Sequence, residues 1–340
     1  MQPLISVLMP AYNAGAYIAE TIQSILDQTY HHFELIIIND GSTDNTKQTV
    51  LSFTDKRIRY VENERNLEKI ETNNKGLSLV AGEYIAKMDA DDVAEPNRFK
   101  NQIRYFEQHP EVSVLGSWFR RMDNGKIEDY PEDDADIKVQ FVGENVLANS
   151  TAMFRTADIK KVGLKYDDRF IAYAEDYKFW TEAAIKGLKF ANVPEVLVNY
   201  RIHGTQATEL SKHKQSVNTD LIRVEYMHAV LPGLLKDSND ESIYCKLFNR
   251  LPLSSKEYNR LKEIVTAIQL GSPNIVDKSR LSKYISDAFL KVAARYYRVF
   301  IPHKITSIKT ALSDSVFMKE LDMKYRVIFF MKCFLPFRGE

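Results

Sequence analysis

The sequence predicts an α/β domain, a mostly parallel sheet with helices on both faces, followed by a helical C-terminal region. Three observations carry this. Over residues 4–115, short apolar runs alternate with stretches whose apolar residues recur at helical spacing, and the connections are short. Beyond about residue 211 only the helical period continues, with breaks near Pro232-Gly233, Pro252, Gly271-Ser272-Pro273 and Pro302. A chain of 340 residues with 44% apolar side chains can also bury one large core plus an appendage, or two cores. The expected division is 1–210 and 211–340.

Residues 4–9 form a short apolar run suited to a buried strand, and Ile18, Ile22, Ile25 and Leu26 then mark a helix. Residues 33–38 are a second strand, ending abruptly in Asn39-Asp40-Gly41-Ser42. A weaker strand at 58–61 and a helix at 73–81 follow. Residues 84–88 are a fourth strand, trailed by polar residues 89–95 and a helix near 97–108; residues 112–115 are a fifth. Between 120 and 210 the alternation fades, leaving strands at 149–155 and 196–201 and a helix at 175–186. Ligands of such sheets bind beyond the carboxyl ends of the strands. Polar clusters follow strands two and four, so Asp40 and Asp44 should share an edge with Asp89, Asp91 and Asp92.

Composition excludes several classes. Charged residues at 27% with 11% aromatics do not describe a disordered chain. Two cysteines, Cys245 and Cys333, build neither a disulfide framework nor a cysteine metal cage, and a reducing cytosol is the expected compartment. The N-terminus reads as a first strand, not a signal peptide. The longest apolar stretch, residues 327–337, is well short of the ~20 residues that span a bilayer. No basic–aromatic module argues for nucleic acid. Equal numbers of basic and acidic residues, 46 each, conceal an asymmetry: residues 278–340 carry 13 basic against 5 acidic. That basic, aromatic tail, with Tyr296, Tyr297, Arg298, Phe300 and the run from Lys324 to Phe337, suits either an anionic membrane surface or packing and homodimer contacts.

The sharpest chemical signal is MDADD at 88–92. Two aspartates two apart at a strand end can aim at one point, and hard oxygen ligands suit Mg²⁺ or Mn²⁺ with positions left for substrate phosphates. Alone, the segment also reads as a polar turn capping the helix near Asn97. No glycine-rich GxGxxG follows strand one and no Walker A motif occurs, which disfavours dinucleotide dehydrogenases and P-loop enzymes. Glu175-Asp176 alone would be ordinary carboxylates at a helix N-terminus.

Taken together, PAYN at 10–13, NDGSTD at 39–44, GEYIAKMDADD at 82–92, AEDYKFW at 174–180 and YRIH at 200–203 follow the order seen in family 2 glycosyltransferases. The chain resembles bacterial members that assemble surface polysaccharides, over roughly residues 4–205. The resemblance implies a GT-A fold, a nucleotide-sugar donor, a divalent cation (Mn²⁺ or Mg²⁺) and inversion at the anomeric carbon. It implies that Pro10, Tyr12 and Asn13 line the nucleotide pocket, that Asp40 reads the uracil, and that Asp89 and Asp91 serve ribose and metal, with Asp91 the principal ligand. Asp176 becomes the general base, and Arg201 and His203 lie near the diphosphate. Beside that carboxylate, Glu175 and Trp180 are candidates for the acceptor side, although Phe179 and Trp180 are more often core residues than sugar platforms. Two positions depart from the family pattern: Glu68 stands where a glycine is frequent, and Asn73 where an arginine is common. The expected activity is transfer of a sugar, from a UDP-sugar, to a hydroxyl of a glycan or lipid-linked acceptor, by a cytoplasmic or peripheral enzyme. The alternatives are a non-catalytic scaffold of the same fold and a nucleotidyltransferase.

Overall fold

The computed structural model describes residues 2–170, 173–204, 212–249, 251–297 and 304–321, with backbone alone at 212–214 and 304–308. It divides into two compact units, residues 1–222 and 223–340, with the boundary inside one long helix.

The first unit is built on one sheet. Its strands are β1 (Ile5–Ala11), β2 (Phe33–Asn39), β3 (Ile58–Glu62), β4 (Tyr84–Lys87), β5 (Val93–Ala94), β6 (Val114–Arg121), β7 (Ile127–Glu128), β8 (Met153–Arg155) and β9 (Phe190–Tyr200). They lie in the order β3-β2-β1-β4-β8-β6-β9-β5, with β7 paired to β6. The helices are α1 (Ile18–Leu26), α2 (Thr46–Leu51), α3 (Glu68–Leu79), α4 (Arg98–Gln108), α5 (Asp134–Gln140), α6 (Thr156–Lys161) and α7 (Glu175–Ile185).

Strands β1 and β2 are almost continuous apolar runs because both their faces are covered. Helix α1 buries Ile18, Ile22 and Ile25 and helix α4 buries Phe99, Ile103 and Phe106, the stripes that helical spacing requires. From β3 to β4 every pairing is parallel. Beyond β4 the sheet is mixed. The strand expected at 149–155 is a 3-10 turn at Asn149–Thr151 followed by β8, which runs antiparallel between β4 and β6. Helix α3 also starts earlier than its apolar spacing announces, at Glu68.

Strand β9 determines where the site forms. It runs parallel to β6, with a register shift around Ser117 and Trp118 where Pro194 interrupts the ladder. Its far end pairs with β5, Val93 opposite Asn199 and Ala94 opposite Val198. That short pairing brings Arg201 to the acidic loop between β4 and β5, although more than 100 residues separate them in the chain.

Helix α8 (Lys212–Val230) crosses the unit boundary, and α9 (Ser238–Asn249), α10 (Ser255–Leu270), α11 (Lys278–Arg295), α12 (Lys304–Ser313) and α13 (Ser315–Glu320) complete the second unit. Ser254 and Glu257 form a reciprocal cap on α10, and Asp314 caps α13. Asp314 also accepts hydrogen bonds from the hydroxyls of Tyr258 (3.0 Å) and Tyr297 (2.6 Å). Tyr296 stacks on Tyr258 with ring centroids 4.0 Å apart. Tyr296 and Tyr297 are therefore core residues of the helical unit, the packing alternative of the two the sequence left open for them. Arg298, Phe300, Cys333 and the run from Lys324 to Phe337 lie outside the described residues. Among the described residues no helix is long and apolar enough to cross a membrane.

Candidate active site

The loops leaving β1 and β2 are laced together. Asn13 adopts the left-handed region (φ 49°), which asparagine tolerates better than most residues. Its backbone N–H donates to Ser42 Oγ at 2.9 Å, and its side-chain oxygen accepts from Thr43 N at 2.9 Å. Gly15 N donates to Asp44 Oδ2 at 2.9 Å, and a Cβ on Gly15 would sit 1.9 Å from Asn45 Oδ1, so a larger residue there requires the exposed Asn45 side chain to swing aside. Tyr12 is left half exposed beside Pro10, at the carboxyl end of β1. Asp40, buried at the end of β2, accepts from Asn63 Nδ2 (2.7 Å) and Leu67 N (2.9 Å).

The acidic loop beyond β4 presents its three carboxylates differently. Asp89 Oδ1 accepts from Asn149 Nδ2 at 2.8 Å. Asp91 Oδ2 lies 2.9 Å from His203 Nε2. Asp92 turns inward: it is fully buried and accepts from Arg201 N at 2.9 Å, and burial, helped by the charges of Asp91 and Asp89, raises its carboxyl well above the usual range. Asp92 thus ties the loop to the residue that follows β9. Arg201 completes the tie, donating from Nε to the Asp91 carbonyl (2.8 Å) and from its guanidinium to Glu20 on α1 (2.5 Å).

Among the described residues no cluster of three or more His, Cys, Asp or Glu forms a closed cage for a metal. The adjacent Asp91 carboxylate and His203 imidazole nevertheless make an oxygen–nitrogen pair that suits Mn²⁺, with remaining positions to be filled by phosphate oxygens or water.

The last element is the start of α7. Ala174 is left-handed (φ 67°) and turns the chain so that Glu175 and Asp176 head the helix. Asp176 Oδ2 accepts from Asn145 Nδ2 at 3.0 Å and Oδ1 from Tyr177 N at 2.7 Å. Burial pushes the Asp176 carboxyl up to about 7; the Glu175 charge adds to this, Lys69 opposes it, and Asp89 contributes in the same direction as Glu175. Asp176 and Asp89 therefore sense one another through space. Glu175, almost buried, forms an ion pair with Lys69 on α3 at 2.9 Å. Lys87, fully buried on β4, places its ammonium on the Asn73 side-chain oxygen, where burial lowers it to about 8 against the pull of Asp89.

Two expectations need correction. Trp180 is fully buried, edge-on to Phe154 and Phe179, so it is a core residue and offers no platform to an acceptor ring. Glu175 is engaged by Lys69 instead of facing outward. Sequence reasoning missed Lys69, Lys87, Asn145 and Asn149. The only local signals were the two departures, Glu68 beside Lys69 and Asn73 beneath Lys87.

A family model described as "Glycosyl transferase family 2" matches residues 6–163. An uncharacterized glycosyltransferase of Haemophilus influenzae is 37% identical over 237 residues, covering 66% of this chain and 73% of that protein. The Escherichia coli UDP-Glc:alpha-D-GlcNAc-diphosphoundecaprenol beta-1,3-glucosyltransferase WfaP is 29% identical over 203 residues, 59% of this chain and 78% of its own. Among solved structures, S. aureus TarS 1–349 in complex with UDP-GlcNAc superposes with a TM-score of 0.53 at 16% identity, covering 95% of this chain and 91% of that one. The last similarity speaks for the fold alone.

Proposed function

Because the chain belongs to glycosyl transferase family 2, we propose that it transfers a sugar, with inversion, from a UDP-sugar to a hydroxyl of a glycan or lipid-linked acceptor in cell-surface polysaccharide synthesis. The observation that carries this reading is Asp176: a carboxylate at the head of α7, oriented by Asn145, whose proton affinity burial and the neighbouring Glu175 raise to about 7. A base with that affinity for protons takes one from an alcohol near neutral pH as the hydroxyl attacks C1 from the face opposite the leaving nucleotide. Tyr12, Pro10, Asn13 and Asp40 would receive the uridine, Asp89 the ribose, and Arg201 and His203 the diphosphate side.

Asp91 with His203, and Asp89 beside them, would hold Mn²⁺ or Mg²⁺. Such an ion, when bound, neutralises charge on the diphosphate leaving group. What the chain itself contributes is position: Asp92 and Arg201 fix the loop to β9, and the Gly15 crossing fixes the nucleotide loops to each other.

The decisive experiment is release of UDP and transfer product from a panel of UDP-sugars by the wild-type chain and by Asp176→Asn. General-base catalysis supplies roughly 10²–10⁴-fold, so turnover should fall by at least ~10² while UDP affinity holds. Equal loss of both would assign Asp176 a structural role, and release of pyrophosphate in place of UDP would favour a nucleotidyltransferase. Membrane association through residues 278–340 is part of the same proposal. It now rests on segments outside the described residues, and equal flotation on anionic liposomes with and without residues 322–340 would reject it.

A further inference from the structure

We propose that Lys69 and Glu175 form a clamp that sets the position and charge of Asp176, with Lys69 acting as a positioning residue for the transfer step. This rests on the reading of Asp176 as the base and goes beyond it, since neither partner of the clamp touches the reacting atoms.

The geometry points to it from two sides. The ion pair joins the first turn of α3 to the first turn of α7 at 2.9 Å, with Glu175 almost buried. Among the described residues three non-glycine positions have positive φ: Asn13, Glu68 and Ala174. Two of these immediately precede the two ends of the pair, Glu68 before Lys69 and Ala174 before Glu175. Neither glutamate nor alanine favours that conformation, which persists only where the surroundings hold it there. Strain at both anchor points of one ion pair, next to the part-buried Asp176 carboxylate, is the arrangement expected where precise placement outweighs local stability.

The charges act in opposite senses. Glu175 raises the proton affinity of Asp176 and Lys69 lowers it; Lys69, whose side chain is partly exposed, is itself held above the usual lysine range by Glu175 first. The other ionisable groups that sense Asp176 are Asp89 on the acidic loop, Lys87 on β4, Tyr130 and Tyr166. All of them stay in place when the clamp is altered.

The test compares two variants that break the same bond. The pH dependence of kcat is measured as UDP release from UDP-glucose or UDP-GlcNAc, whichever supports turnover, for the full chain and for Lys69→Met, Glu175→Gln and Lys69→Arg. Lys69→Met should move the acidic limb of the profile to higher pH by ~1 unit and Glu175→Gln should move it to lower pH by a similar amount, because each removes one of two opposed charges. Lys69→Arg should restore the wild-type profile. A purely structural pair would give both disrupted variants the same change, and limbs that move together, or not at all, overturn the clamp. Thermal unfolding accompanies each measurement, and Lys69→Gln replaces Lys69→Met where the latter unfolds. Asp176→Asn separates the two levels: retained turnover there removes the base assignment itself, whereas lost turnover with limbs that move together removes the clamp alone.

Discussion

Replacing Asp176 by asparagine should stabilise the protein at the same time as it abolishes turnover. An aspartate ordinarily titrates near 3.8, and in the folded chain burial and the neighbouring Glu175 raise Asp176 to about 7. Between those values the folded state keeps a proton that the unfolded chain has released, so stability falls as pH climbs through this window. The gap amounts to at most about 4 kcal/mol once both states are ionised. Asparagine mimics the protonated carboxyl: it still accepts from either Asn145 or Tyr177 and carries no charge. The gain should therefore approach that figure at pH 8 and shrink to below ~1 kcal/mol at pH 4, where the folded carboxyl is protonated and the unfolded one is only partly ionised. For a unit of about this size each kcal/mol corresponds to roughly 2–4 °C in Tm. Differential scanning calorimetry of both proteins at pH 4, 6 and 8, without nucleotide, reads this directly. A Tm difference that is independent of pH, or a loss of stability at pH 8, would refute the claim that Asp176 sits in a place hostile to its own charge.

Other consequences can be checked separately. Asp91→Ala should abolish the extra thermal stabilisation that UDP gains from added Mn²⁺; unchanged stabilisation with and without the ion would remove Asp91 as a ligand. Glu68→Gly should raise stability by ~1 kcal/mol by relieving left-handed backbone, measured by urea unfolding, and a decrease would place the strain elsewhere. Trp180→Ala should cost ~3–5 kcal/mol as a core cavity, whereas Trp180→Phe should leave the acceptor KM within twofold; a large rise in KM would return that indole to the acceptor side. Gly15→Ala should lower Tm only slightly, because the exposed Asn45 side chain can swing away from the added methyl group; a loss of many degrees would show that the crossing is rigid.

The first half of the fold was legible because periodicity reports what a buried strand or a one-faced helix must be. Strands β1, β2 and β4 carry continuous apolar runs, and α1 and α4 carry stripes. The second half was not. Strand β5 has two residues and therefore no period, and β8 was absorbed into a longer run that the structure breaks with a 3-10 turn. Pairings such as Val93 with Asn199 join positions too distant for any local pattern to record. The carboxylates of the site were visible as strand-end clusters, and the family resemblance supplied their roles. Trp180 was misread because four residues along a helix place it on the side of Asp176. Helix α7, however, is buried nearly all round, with Tyr177, Phe179, Trp180 and Ala183 all inside, so it has no free face to present. Lys69 and Asn145 carried no signal, since a lone lysine or asparagine becomes meaningful only beside its partner.

The stitch between β5 and β9 has a consequence for biosynthesis. A ribosome releases the acidic loop at 88–92 early, yet the strand that braces it emerges only about a hundred residues later, followed by the histidine that meets Asp91. Until then the nascent chain carries the acidic triplet without the support that orients it. Prematurely terminated products ending before residue 190 would carry the loops that follow β1, β2 and β4 without the strand and the histidine that brace the acidic triplet, so the site is completed only late in synthesis of the first unit.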